Sequence, residues 1–522
     1  MHLNRRRLLQ SSAAAVFANF AARAPAPALA HAEGVMSDPA FRTASDTLLA
    51  LQSGDVSASE LTRLCLDRIE ATSENINAVI VLRADKAMAE AKAIDDARAS
   101  GAQLGPLAGL PVTVKESFSV KGLPTVWGNP EFPKTPALED SAVAERLSAA
   151  GAIIIGKTNT STMLANWDSD NPVYGRTCNP WNLDRVPGGS SGGAAAALAS
   201  GLTFLGIGSD LGGSIRQPAA NCGVYGHKPT AGIVPQRGHV PTGAPPAMQV
   251  AMPEMARISE LPVSGPLARS ASDLKLALNV IGGPDGAAST ALSYQAPPAR
   301  HTELKAFRVG YVMSHSDAEP DPPSMGVLTE LIESLNGRVA RLTEGWPEGV
   351  DPRRQRDLRH YFRATIGAMM TSPADAAEII EQSRADGPAW AVGDYYGAYN
   401  QGFSDRRADF VAKEIERLQL RNAWQTYFSE FDVFLMPVQT RTARAHGGLT
   451  DEEAFASHLW FAAATVTGLP ATTAPAGIGS DGLPVGVQIL GPHYEDATSI
   501  AFAEALAHAG TGGYQPPPMF QT

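Results

Sequence analysis

The sequence predicts one large α/β domain. Segments with helical periodicity alternate with short β-prone runs along most of the chain. Hydrophobic residues make up 44% and charged residues 18%, which allows a sizeable buried core. Although 522 residues would permit several domains, no linker, internal repeat or break in composition divides them. With 49 Gly and 39 Pro, the domain should be rich in loops.

The elements follow in order. SASELTRLCLDRIEA (57–71) opens with a Ser57/Glu60 capping box and puts Leu61, Leu64, Cys65 and Ile69 on one helical face. A second helix, rich in Ala and charge, runs from about 83 to 99 and stops at Gly101. GLPVTVKES (109–117) holds a short strand, Val112 to Val114, that ends on Lys115. A helix over about 140–150 stops at Gly151. Ala194–Ala199 reads as a helix ended by Gly201, then Thr203–Ile207 as a short apolar run, then Gly212-Gly213-Ser214 as a turn. YQAPPAR (294–300) marks a surface crossing before the strand-like FRVGYVM and a helix near 325–336. Residues 351–430 look mainly helical, FDVFLMPV (431–438) is strongly β-like, and GSDGLPVGVQILG (479–491) turns at Asp481-Gly482 into a strand.

Two motifs mislead. GAIIIGKTN (151–159) fits the phosphate-binding pattern G-x-x-x-x-G-K-[ST]. Three successive isoleucines resist the curled backbone that cradles an anion, and a helix, not a strand, precedes the motif. The segment is read instead as a buried strand, with Gly156 as the turn and Lys157 at the strand end. Gly189-Ser190-Ser191-Gly192-Gly193 fits the G-x-S-x-G nucleophile elbow, but NPWNLDRVP before it has no hydrophobic strand.

The first thirty residues stand apart. Arg5-Arg6-Arg7, a weakly apolar run and Ala28-Leu29-Ala30 form the three regions of an export signal, and Arg5-Arg6 before Leu8-Leu9 resembles a twin-arginine signal. Residues 1–30 are therefore expected to direct the protein to the periplasm or outside the cell, leaving 31–522 as the domain. No other apolar run is long enough to span a membrane. A net charge of −11 argues against nucleic acid or an anionic membrane as partner. Cys65, Cys178 and Cys222 have no metal or redox spacing, and the histidines are not clustered for a metal. His227 reads as structural, and Trp167, Tyr174 and Trp181 as core or as the lining of a channel.

GLPVTVKES, PGGSSGG…GSDLGGSIR (187–216) and NCGVYGHKPT (221–230), at these spacings, resemble the amidase signature family, which includes fatty acid amide hydrolase and the A chains of amidotransferases. The resemblance spans most of the chain past the signal. It implies a large mixed β-sheet covered by helices on both faces, a signature core over about 105–235 and a variable channel region over about 285–465. Matched residue by residue, it makes Ser214 the nucleophile, Ser190 the bridging serine and Lys115 the base. A serine needs a neighbour to take its proton, and a lysine can do so only when burial brings its pKa toward the working pH. Backbone N–H groups from Leu211, Gly212, Gly213 and Ser214 would bind the oxyanion. Ser191 would orient the network, with Asp210 and Arg216 supporting the loop. The family often has Asp where Glu116 stands and Ile where Leu211 stands.

The function implied is hydrolysis of a small to medium amide through an acyl-enzyme, with no cofactor and no metal. An esterase or carbamate hydrolase on the same residues, or an amidotransferase A-type subunit, are the alternatives. An exported protein would not meet the ATP and charged tRNA that the last of these requires. The substrate's identity and the oligomeric state, a homodimer included, stay open.

Overall fold

The computed structural model describes residues 38–521, apart from 371–372, 386–400 and 404. A short unit, Met1–Pro39, is distinct from the unit that carries the fold, Ala40–Thr522. The expected export signal, residues 1–30, lies outside the described residues.

Eleven strands form one sheet: Val79–Leu82 (β1), Pro111–Lys115 (β2), Ile153–Thr158 (β3), Leu205–Asp210 (β4), Tyr225–Lys228 (β5) and Val263–Ala268 (β6) come first. Arg308–Tyr311 (β7), Arg341–Glu344 (β8), Val433–Pro437 (β9), Ala471–Ile478 (β10) and Pro484–Leu490 (β11) complete it. Their spatial order is β1-β3-β2-β4-β6-β5-β10-β11-β9-β7-β8. β3, β2 and β4 run parallel, as do β9, β7 and β8, while the pairs between these groups are antiparallel. This is the mixed sheet the sequence implied. Every residue of β2, β3, β4, β6, β9 and β11 is buried. Because successive side chains point to opposite faces, both faces must be covered, and helices do the covering.

Local sequence accounts for the helices that matter most. The Ala58–Thr72 helix has the expected capping box, with Ser57 and Glu60 satisfying each other's backbone N–H. The Gly192–Ala199 helix, GGAAAALA, is buried along its whole length. Its small side chains permit that depth: a Cβ on Gly193 would lie 2.4 Å from the backbone N of Asn159. Among the described residues of 351–430, helices Pro352–Met370, Pro373–Ala385 and Arg407–Glu430 match the helical expectation.

Two expectations need correction. Gly156 is not a turn but an internal residue of β3, where a Cβ would meet the carbonyl oxygen of Val81 on β1 at 2.6 Å. Its lack of a side chain lets the edge strand close on β3. Lys157 likewise lies inside the strand and is fully buried. The apolar run 203–207 leads into the strand Leu205–Asp210, whose Gly208 must pass a neighbouring side chain closely. On Gly208 a Cβ would stand 2.7 Å from Ser191 Oγ.

Parallel neighbours β2 and β4, in register at Val114 and Ile207, release their C-terminal ends side by side. That is where an α/β sheet usually builds its site.

Candidate active site

The end of β2 delivers Lys115, and the end of β4 delivers Ser209 and Asp210. The loop that leads into the Arg216–Cys222 helix carries Leu211 to Ser214, and the turn before the Gly192–Ala199 helix carries Ser190. Lys115 is fully buried, and its Nζ donates to Ser190 Oγ at 2.7 Å and to Ser209 Oγ at 3.1 Å. Burial pulls the Lys115 amine down to about 7, against the opposing charges of Asp210 and Glu116. Such an amine is substantially neutral at neutral pH and can accept a proton. Ser209 was not singled out from sequence. Its position at the end of β4, beside β2, is visible only once the two strands are paired.

Asp210 and Arg216, both wholly buried, wire the loop. Arg216 donates to Asp210 through Nη2 at 2.8 Å and Nε at 3.0 Å, and through Nη1 to Gln488 Oε1 at 2.7 Å. Burial opposes ionisation of Asp210, yet the Arg216 charge and hydrogen bonds hold its carboxyl well below the usual range. Asp210 also accepts from the amides of Gly213 at 2.8 Å and Ile215 at 3.0 Å. The Gly213 N–H, expected as an oxyanion donor, is therefore engaged. Those of Leu211, Gly212 and Ser214 have no protein acceptor among the described residues. Ser191 ties the two loops together: its N–H donates to Ser214 O at 3.1 Å and its hydroxyl to Ser209 O at 3.2 Å.

Ser190, Ser209, Leu211, Gly212 and Ser214 open onto one cavity of about 620 Å³. The Ser214 hydroxyl makes no hydrogen bond to protein among the described residues, so a link from Ser190 to Ser214 is not itself on display. Trp127, Met163, Leu164, Trp167 and Ile366 give the cavity apolar walls, and Arg359 and Arg363 give it positive charge. Arg359 presses on the serine loop: a Cβ on Gly212 would fall 2.1 Å from its Nη2. His239 also lines the cavity, bonded to Ser117 Oγ at 2.9 Å and packed on Phe118 and Trp127. Burial, helped by the Lys115 charge, pulls its imidazole down to about 3, so it is neutral. Nothing in the local sequence around Arg359 or His239 marks them; distant segments bring them here.

The remaining expectations sort as follows. Trp167 lines the cavity, whereas Tyr174 points its hydroxyl at Glu116 and Trp181 donates to Cys222 O. His227 is buried between Thr472 and Asp496 and lies apart from the cavity lining, as a structural residue. Cys65 and Cys222 are buried, Cys178 partly exposed, and all three are free thiols. Among the described residues, no group of three or more His, Cys, Asp or Glu could hold a metal, and no helix is long and apolar enough to cross a membrane.

A large mixed sheet of eleven strands covered by helices is the fold this chain shares with amidase signature enzymes. The family model described as Amidase matches residues 60–500, and the chain belongs to that family. The A chain of the glutamyl-tRNA(Gln) amidotransferase of Synechococcus sp. (strain CC9311) is 34% identical over 469 residues, covering 85% of this chain and 92% of that protein. Among solved structures, the inhibitor-bound form of a vestigial protein complex tied to the origins of an s-triazine catabolic enzyme superposes with a TM-score of 0.74. It is 27% identical and covers 91% of this chain and all of that one. A fatty acid amide hydrolase, at 21% identity, shares the fold with a TM-score of 0.73, over 91% of this chain and 86% of its own.

Proposed function

We propose that the protein hydrolyses a small to medium amide through an acyl-enzyme on Ser214. The observation that carries this reading is the buried Lys115 amine, 2.7 Å from the Oγ of Ser190, a serine that lines the same cavity as Ser214. In the proposed reaction, Ser214 Oγ bonds to the carbonyl carbon and gives its proton to Ser190, which passes its own to neutral Lys115 Nζ. The oxyanion is met by the uncommitted amides of the Leu211–Ser214 loop, each such donor being worth roughly 3 kcal/mol. The C–N bond then breaks as the proton returns from Lys115 through Ser190 to the departing nitrogen. Water, deprotonated by the same relay, releases the acid from Ser214. An ester or a carbamate could be cleaved on the same residues.

The test is mass spectrometry of the intact protein after exposure to a fluorophosphonate, wild type beside Ser214→Ala. One adduct on the wild type and none on the variant is expected, with amide turnover falling on the order of 10⁴-fold or more. Labelling of both would move the nucleophile to another serine, Ser190 first.

A second reading, an amidotransferase A-type subunit, is supported by the identity to proteins of that name and by Arg359 and Arg363 at the cavity wall, which suit an amide carrying a carboxylate. Such a protein would need partner chains. Ammonia release by the purified chain alone from carboxylated and neutral amides separates the two: strict dependence on added partner chains would favour the second. Export by residues 1–30 is proposed alongside the first reading, and cell fractionation that finds the full-length chain only in the cytoplasm would overturn it.

A further inference from the structure

The turn at residues 124–127 is held from two sides by opposite charges, one of them on Glu116, the residue that follows Lys115. Lys157 Nζ donates to the carbonyl oxygen of Pro124 and, at 2.8 Å, to Thr125 Oγ1. Glu116 Oε1 accepts from the amide of Val126 at 2.6 Å and Oε2 from that of Trp127 at 2.9 Å. The cation thus takes the acceptors of the first half of the turn and the carboxylate takes the donors of the second. Both side chains are fully buried. What they hold is unusual backbone: Trp127 has φ of +49°, a left-handed conformation that a bulky residue adopts only under constraint. From there Trp127 donates through Nε1 to Ser117 O at 3.2 Å, packs on His239 and accepts from the amide of Met163 at 2.7 Å. Trp127, His239 and Met163 all line the cavity.

We propose that Glu116 and Lys157 are positioning residues that fix the Trp127 wall of the cavity and thereby set which substrates fit beside Ser214. The proposal rests on the reading of Ser214 as the reacting serine. It gives Glu116 a reason for its length: it reaches two successive amides across the turn, which an Asp, shorter by one methylene, would reach less well. It also gives the lysine of the false phosphate-binding motif a task. Glu116→Gln would set an amide NH₂ against a backbone donor and leave the Lys157 charge without its counterion. Lys157→Met would release Pro124 and Thr125 while keeping the volume filled.

Two readouts test this, neither of which a merely stabilising role would move. With 5-fluorotryptophan in the full chain, fluorine NMR resolves the seven tryptophans, and Trp127→Phe assigns the one that matters. Its resonance should shift or broaden in Glu116→Gln and Lys157→Met while that of the buried Trp424 stays. The ratio of labelling rates for a small alkyl and a bulky aryl fluorophosphonate should change on the order of tenfold or more, since ångström-scale misplacement of a wall costs that much. Glu116→Asp, which keeps the charge and shortens the reach, should give a smaller change in the same direction and guards against loss of folding. An unmoved Trp127 resonance with an unchanged ratio in folded variants would overturn the proposal. If the wild type takes no label at all, the reading of Ser214 fails instead, and the fluorine spectra still decide whether the pair positions Trp127.

Discussion

At the scale of the residue, the lysine is the part of the site whose chemistry depends most on its surroundings. Two hydroxyl oxygens accept from Lys115 Nζ, and both bonds favour the charged amine, against the burial that disfavours it. Ser209→Ala removes one of them. A general base must be neutral to act, so the rate should rise with pH along a limb centred near 7 in the wild type. Losing the Ser209 hydroxyl makes the ammonium harder to form, and the limb should move about half a unit toward lower pH. The maximal rate should also fall, because the amine is less firmly aimed at Ser190. A pH profile of kcat/KM for both proteins checks the sign; a limb that moved to higher pH would mean that Ser209 donates to a neutral amine instead of accepting from a charged one.

At the scale of the element, the serine loop is a turn built to a shape that only glycine fits. Gly213 has φ of +96°, and a Cβ there would fall 2.7 Å from the Phe461 ring. Gly213→Ala should therefore tilt the amides of Gly212 and Ser214 away from the reacting carbonyl and lower fluorophosphonate labelling about 10²-fold, with the overall fold retained. Circular dichroism beside the labelling rate checks this; unaltered labelling would mean that the loop absorbs the side chain without moving its donors. This loop was legible in the sequence because a Gly-Gly-Ser turn beside apolar runs is local information, and so were the capped helix at 57–72 and the strand that ends on Lys115. Other parts were not legible, for one shared reason. Gly156 reads as a turn until β1 is seen to close on it, and Gly208 of β4 carries no local signal because it answers to Ser191 on another segment. Ser209, His239 and Arg359 come from three separate segments and acquire a role only where the fold gathers them.

At the scale of the whole molecule, the sheet buries more positive charge than the site alone needs. Burial holds Lys115 and Lys228 down to about 7, from an ordinary 10.5, and pulls Lys157 down in the same direction against the charge of Glu116. In each case the folded state releases a proton that the unfolded chain keeps up to its ordinary pKa, so unfolding takes up protons between those values. Stability must then rise with pH across that window, each lysine adding up to about 1.4 kcal/mol per pH unit within it. Histidines extend the trend toward acid: His239 and His493 are pulled down by burial to about 3 and about 4, and stability is lost as pH falls through 6.5 toward those values. Cys65, pushed by burial from 9.0 up to about 12, acts oppositely above pH 9, where the unfolded thiol ionises first. The thermal midpoint should accordingly climb from pH 5 and peak near about pH 9. Scanning calorimetry over that range checks it, and Lys115→Met isolates the share of Lys115, because its slope between pH 7 and 9 should be visibly shallower than that of the wild type. A wild-type midpoint that is flat or falling from pH 7 to 9 would mean that the buried lysines stay charged in the fold, and a charged Lys115 could not be the base on which the proposed reaction depends.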